Sequence, residues 1–197
     1  MALKHSVTVI TEEEYLAGEE VSAIKHELID GEVFAMSGAS KNHERIFGNV
    51  FVNLHAHLQN LPCEPFSSDV KVRIDNNFFY PDAMVVCDDQ TDHDYYTETP
   101  VIIVEVLSKS TRRYDETIKR LAYQSISTLQ EYILIEQDFV DIEVCRRSKG
   151  WQSKHYFLGE EFTLGSIDLT LKVEDLYQRV KNEDVIDYLK AMAMVKV

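Results

Sequence analysis

Two carboxylates stand inside apolar runs of this chain. Asp82 lies in Tyr80-Pro81-Asp82-Ala83-Met84-Val85-Val86, and Glu105 in Val101-Ile102-Ile103-Val104-Glu105-Val106-Leu107-Ser108. Both runs read as core strands, where an ionised acid is costly unless it is paired, hydrogen-bonded or bound to a cation. Pro81, with its fixed backbone angle, suits a strand start or edge and gives the next side chain a defined direction. Asp82 and Glu105 are therefore candidate metal ligands. A hard ion such as Mg²⁺ takes oxygen donors and keeps waters, so one Asp, one Glu, a strand carbonyl at Val106 and waters would complete an octahedral site. Such an ion activates water and offsets charge developing on a scissile phosphate.

That chemistry also benefits from a positive group near the reacting phosphate. Lys119 is the preferred candidate, one helical turn from Asp115 and Tyr123. Lys109 competes, because period-two alternation gives it the parity of Glu105, but Ser108 and Ser110 signal that the strand is ending. Glu27 and Glu44 are further acids that could approach the site, one from the hairpin and one from the long helix. His43 could cap or orient the helix start near the site, although a lone His at a helix end is more often structural, and Asp69 is equally open. Lys109, Arg112, Arg113, Lys119 and Arg120 place five cations against Asp115 and Glu116, a local basic patch suited to a phosphate backbone. The competing reading of that patch is a solvated helix face with an Asp115 to Lys119 ion pair. Ser108, Ser110 and Thr111 lack a recognisable base and read as strand-end and cap residues.

Positioning these groups takes a definite series of elements. Thr11 before Glu12-Glu13-Glu14 predicts an N-cap and a short helix to about Ala17. Asp30-Gly31 between apolar residues predicts a hairpin. Ile46, Phe47, Val50, Phe51, Leu54 and Leu58 predict a long amphipathic helix from Ser40 to about Gln59. Strands are expected over Phe66 to Ile74 and Phe78 to Cys87, then an exposed acidic loop from Asp88 to Thr99, and the Glu105 strand from Pro100. A helix from Thr111 to about Ser125 should bury Ile118, Leu121, Ala122 and Ser125. Strands Tyr132 to Glu136, Val140 to Cys145, Trp151 to Phe157 and Ile167 to Leu171 follow, then a helix over Val173 to Val180. The order predicts an α/β (α+β) domain with a mixed central sheet flanked by helices.

These residues also carry a resemblance. Pro81-Asp82, Glu105-Val106-Leu107-Ser108-Lys109-Ser110-Thr111, Asp115, Lys119, Tyr123 and Glu131-Tyr132, with Glu27-Leu28-Ile29-Asp30-Gly31-Glu32 upstream, resemble the Uma-two family of restriction-endonuclease-like proteins in the PD-(D/E)XK nuclease superfamily. The likeness runs from about Thr8 to Leu171. It implies a restriction-endonuclease-like fold, Asp82 and Glu105 as ligands of Mg²⁺ or Mn²⁺, and catalytic roles for Lys119 and Glu27. It further implies endonucleolytic hydrolysis of phosphodiester bonds, with DNA the expected substrate. The chain departs from the superfamily pattern at Leu107, where the Lys of Glu-x-Lys would stand, so the lysine is expected on the following helix. The alternative from another class is a catalytically silent nuclease-fold protein acting as a homodimeric interaction module.

Composition narrows the classes. At 197 residues the chain suits one domain, residues 1–197, with 182–197 a C-terminal helical tail whose Val185, Ile186, Leu189 and Met192 could pack on the core or on a partner chain. No apolar run suits a membrane span and no signal peptide is evident, so a cytoplasmic protein is expected. A net charge of -14 disfavours broad adhesion to nucleic acid, leaving only a local contact. Cys63, Cys87 and Cys145 are odd in number and far apart, so neither a disulfide framework nor a zinc site is expected, and all three read as small buried hydrophobes.

Overall fold

The structure, a computed structural model, describes residues 9–89, 91, 93–109 and 112–195. Helix α1 (Glu12–Val21) starts on a capping box: the Glu14 amide donates to the Thr11 hydroxyl, and the Thr11 amide donates to the Glu14 carboxylate. The Asp30-Gly31 turn joins β1 (His26–Ile29) to β2 (Glu32–Ala35). Both turn residues have positive φ, 50° and 80°, the left-handed geometry that an Asp-Gly pair supplies in tight hairpins. Helix α2 (Lys41–Leu58) follows a Ser40 N-cap and buries the stripe Ile46, Val50, Leu54 and Leu58.

The two strands expected between Phe66 and Cys87 each break in two, giving β3 (Glu64–Ser67), β4 (Lys71–Ile74), β5 (Asn77–Phe79) and β6 (Ala83–Val86). The breaks fall at a Ser68-Asp69 turn and at Pro81-Asp82, where proline has no N–H to give a ladder. Each break sends the two halves into different sheets. The acidic segment expected as an exposed loop contains β7 (Tyr96–Thr97), which pairs parallel with β4 and buries Thr97. Then come β8 (Pro100–Leu107), α3 (Arg112–Tyr114), a π-helical turn at Asp115–Lys119 and α4 (Arg120–Ser125). The rest comprises β9 (Glu131–Glu136), β10 (Ile142–Arg146), β11 (Ser153–Tyr156), β12 (Glu161–Leu164), β13 (Leu169–Lys172), α5 (Val173–Leu176) and α6 (Glu183–Val195). Strand β12 escaped the sequence reading because its alternation lasts only four residues.

The central sheet has the order β11-β10-β9-β8-β6-β3, with β8 and β9 parallel and the other neighbours antiparallel. A second sheet, β2-β1-β5-β4-β7, brings in the first hairpin, and β12 pairs with β13. The mixed sheet flanked by helices is thus as expected. Alternation along β8 decides what each residue meets. Ile102, Val104 and Val106 join the core with α2, Phe162 and Val173, while Ile103 and Leu107 join the one with Phe79, Tyr123 and Tyr132. Glu105 has the parity of Ile103 and Leu107, so its carboxylate enters that second layer.

Cys63 and Cys87 lie opposite each other just past the paired ends of β3 and β6, and they form a disulfide. This overturns the reading of all three cysteines as buried hydrophobes, which holds only for Cys145. Antiparallel pairing faces residues 24 apart in sequence, a relation no local pattern shows. A cross-link closing a loop of this size contributes about 3 kcal/mol by restricting the unfolded chain. Reduction with dithiothreitol, or Cys63→Ser, should lower the melting temperature followed by circular dichroism by about 5–10 °C. An unchanged midpoint after complete reduction would rule out the staple.

Candidate active site

Asp82 lies at the mouth of β6, where Pro81 interrupts the chain between the two sheets. Its Oδ2 accepts the Val106 amide at 2.6 Å and lies 3.3 Å from His43 Nε2. Glu105 Oε1 accepts from Lys119 Nζ at 3.1 Å and from the Tyr123 hydroxyl at 3.0 Å, and Oε2 meets the Asp82 amide at 3.4 Å. Glu27, on β1, accepts the Tyr80 amide and Lys119 Nζ on Oε1, each at 2.9 Å. Asp115 Oδ1 is 3.4 Å from the same ammonium. Asp82, Glu105, Lys119 and Glu27 are therefore brought together. Val106 joins them through its amide, and because N–H and C=O of a strand residue point to the same side, its carbonyl faces that side too.

The helix that delivers Lys119 does not bury the face expected of it. Ile118 and Leu121 are 48% and 73% exposed, while Asp115, Lys119 and Tyr123 are buried. The Arg120 amide bonds the carbonyl of Asp115, five residues back, as a π turn requires. Lys119 finds three carboxylates on the inner side, and that attraction decides which stripe faces in. The ion pair between Asp115 and Lys119, weighed as a rival to a site role, coexists with the site contacts. Ser110 and Thr111 lie outside the described residues.

Electrostatics follow from this crowding. Burial comes first in pushing the Glu105 carboxyl well above the usual carboxylate range; Lys119 opposes it, and Asp115, Asp82 and Glu27 push further upward. For Lys119 burial alone would favour the neutral amine, but Glu105, Glu27 and Asp115 outweigh it and hold the ammonium well above its ordinary value. Burial, then the charge of Glu105, also raises the Tyr123 hydroxyl, keeping it a donor. Burial acts to lower His43, yet its hydrogen bond to Asp82 and the charges of Asp82, Glu44 and Asp115 leave it raised.

The other sequence candidates scatter. Glu44 is exposed and lies 3.8 Å from His43 Nδ1, while Asp69 sits in an exposed turn paired with Lys25 at 2.5 Å. Lys109 is exposed in the turn after β8. The basic patch is largely neutralised: Arg112 pairs with Glu136 at 2.5 Å, Arg120 binds both oxygens of Glu143, and Lys119 is buried. Sequence reasoning gave no site role to Tyr123 and treated Asp115 only as a rival for Lys119. The four-residue spacing of Asp115, Lys119 and Tyr123 was the signal. Gln137, which donates to the Leu107 carbonyl at 2.9 Å and accepts from the Ser40 hydroxyl, had no signal, because its partners are remote in sequence.

A model of the Uma2 family, described as "Putative restriction endonuclease", matches residues 12–174. The chain belongs to the Uma2 family. It is 35% identical over 175 residues to the uncharacterised Synechocystis protein slr1290, covering 86% of this chain and 92% of the relative. It is 37% identical over 142 residues to sll1609 of the same organism, covering 70% and 80%. Among solved structures it is similar to "a putative nuclease belonging to DUF820 from Anabaena variabilis", with a TM-score of 0.68 and 17% identity over 87% of this chain and 99% of that one. That likeness concerns the fold, which is restriction-endonuclease-like.

The site of this Uma2 protein carries Glu27, Glu105 and Asp115 around one lysine, so acids outnumber the cation they share. Removing either sign should have opposite effects on the metal-free protein. In EDTA, Lys119→Met leaves three carboxylates without their cation and should cost about 3–5 kcal/mol. Glu105→Gln removes one desolvated charge while Lys119 keeps Glu27 and Asp115, so its melting temperature should equal or exceed that of the wild type. Equal losses in both variants would show that the excess charge is not felt.

Proposed function

We propose that this protein is a divalent-metal-dependent endonuclease that hydrolyses phosphodiester bonds, with DNA as substrate and residues 1–197 working as one catalytic unit. The observation that carries this reading is that the Glu105 carboxylate meets the Asp82 amide and the Asp82 carboxylate meets the Val106 amide, with Glu105 paired to a lysine buried among acids. Among the described residues no group of three or more His, Cys, Asp or Glu side chains forms a metal cage. Two carboxylates, the Val106 carbonyl and waters fit Mg²⁺ or Mn²⁺, which is bound through few protein ligands. The fit also rests on charge: protein donors occupy Asp82 Oδ2 and Glu105 Oε1, Glu105 Oε2 has only the long 3.4 Å contact with the Asp82 amide, and the crowding of acids favours a further cation. When bound, such an ion supplies an acidified water and neutralises the scissile phosphate.

The chain's own groups have separate tasks. Lys119, held as an ammonium by its carboxylate neighbours, steadies the attacking water or the transition state in this reading. Glu27 fixes that ammonium from the second sheet and keeps it from withdrawing along the helix. Tyr123 keeps Glu105 oriented through its hydroxyl. The assignment of DNA rests on the family description, since no base-reading element is evident in these residues. With net charge -14 and Arg112 and Arg120 already paired, binding should be weak and sensitive to salt.

A second reading has one observation in its favour. Ile186, Leu189, Met192 and Met194 of α6 are 43–78% exposed, an apolar face compatible with a homodimeric module that cleaves nothing. Purified protein with Mg²⁺ or Mn²⁺ at low salt should nick plasmid DNA, and EDTA should abolish the reaction. Asp82→Ala should reduce it at least about 100-fold. Intact single- and double-stranded DNA and RNA across pH and salt would sink the nuclease reading, and light scattering then tests the dimer.

A further inference from the structure

We propose that His43 is a positioning residue that locks Asp82 in the orientation needed to present one oxygen to the metal; the inference rests on the metal-site reading above. His43 is the third residue of α2, and its amide donates to Ser40 Oγ at 3.1 Å. The Ser40 hydroxyl donates in turn to Gln137 Oε1, and Gln137 Nε2 donates to the Leu107 carbonyl at 2.9 Å. The start of α2 is thereby tied to the strand end that carries Glu105. From that anchored position the imidazole, only 14% exposed, places Nε2 3.3 Å from Asp82 Oδ2.

The oxygen it chooses matters. The Val106 amide already donates to Oδ2 at 2.6 Å, so both contacts converge on one oxygen and neither engages Oδ1. The amide alone would let the carboxylate swing about the Oδ2 contact. A second donor from a different element and direction removes that freedom. Carboxylates that bind metals are themselves hydrogen-bonded, and loss of such a partner costs about 10–100-fold in affinity or activity. A histidine kept only to cap or pack α2 would need no contact with Asp82, since Ser40 already supplies the cap.

The test measures Mn²⁺ binding to the full chain by calorimetry and electron paramagnetic resonance, with plasmid cleavage beside it. His43→Leu keeps volume but removes the donor, and it should weaken Mn²⁺ binding about 10-fold or more and lower kcat with KM for DNA little changed. His43→Gln keeps an N–H donor and should bind within about threefold of the wild type. Melting curves check that each variant is folded, and His43→Ala replaces the leucine variant if that one is not. Wild-type binding by a folded donor-free variant overturns the role of His43 alone. So does a glutamine variant as weak as the leucine one. If the wild type binds no Mn²⁺, the metal-site reading falls and this inference with it.

Discussion

The ammonium of Lys119 is buried, and it can stay charged there only because carboxylates reach it from three parts of the chain. Glu27 comes from β1 in the second sheet, Glu105 from β8 in the central sheet, and Asp115 from the lysine's own helical segment. A buried ammonium without partners would lose its proton or unfold its surroundings, since desolvation of a lone ion costs several kcal/mol. The two sheets and the helix layer are therefore joined by one charge cluster as well as by apolar packing. The π turn belongs to the same constraint, because it carries Asp115, Lys119 and Tyr123 along one inner stripe at the expense of exposing Ile118 and Leu121.

Around that cluster the structure supplies what polar groups in a core demand. Tyr123 gives its hydroxyl to Glu105, the Tyr80 amide serves Glu27, and the Tyr132 hydroxyl serves the carbonyl of Asp115. Tyr123 also packs edge-on against Phe79 and Tyr132, with ring centres 5.5 and 5.4 Å away, so the same side chain closes the apolar layer and completes the ionic one. Among the described residues the acids of this cluster outnumber the cations that touch them, Lys119 and His43. A fold optimised for stability alone would replace such a group of charges by apolar residues of similar volume, and strain of this kind is retained where function requires it.

Much of the architecture was legible because local signals agreed with the fold. The Thr11 cap, the Asp30-Gly31 turn and the stripe of α2 all follow from short-range rules about capping, positive φ and 3.6-residue periodicity. The site was legible in part, since acids in apolar runs must have partners and Asp82 and Glu105 were conspicuous. What failed was the reading of the segment after β8. Its apolar residues follow a helical period, but burial is decided by free energy in the assembled fold, and three carboxylates outweighed the exposure of two aliphatic side chains. The basic patch failed for a related reason: Arg112 and Arg120 meet Glu136 and Glu143, which lie 23 or 24 residues further along.

Sequence by itself determined many of the elements and the alternation that sends Glu105 inward, and it singled out Asp82, Glu105, Lys119 and Glu27 as candidates, because these depend on residue type, short spacing and the family pattern. Only the tertiary structure decided that Cys63 meets Cys87, that His43 and the Val106 amide share one oxygen of Asp82, and that Gln137 ties the start of α2 to the end of β8. Each is a contact between elements whose register is set by how two sheets and a helix layer pack together. Ångström-scale placement of that kind depends on the whole core at once, and no window of neighbouring residues contains it.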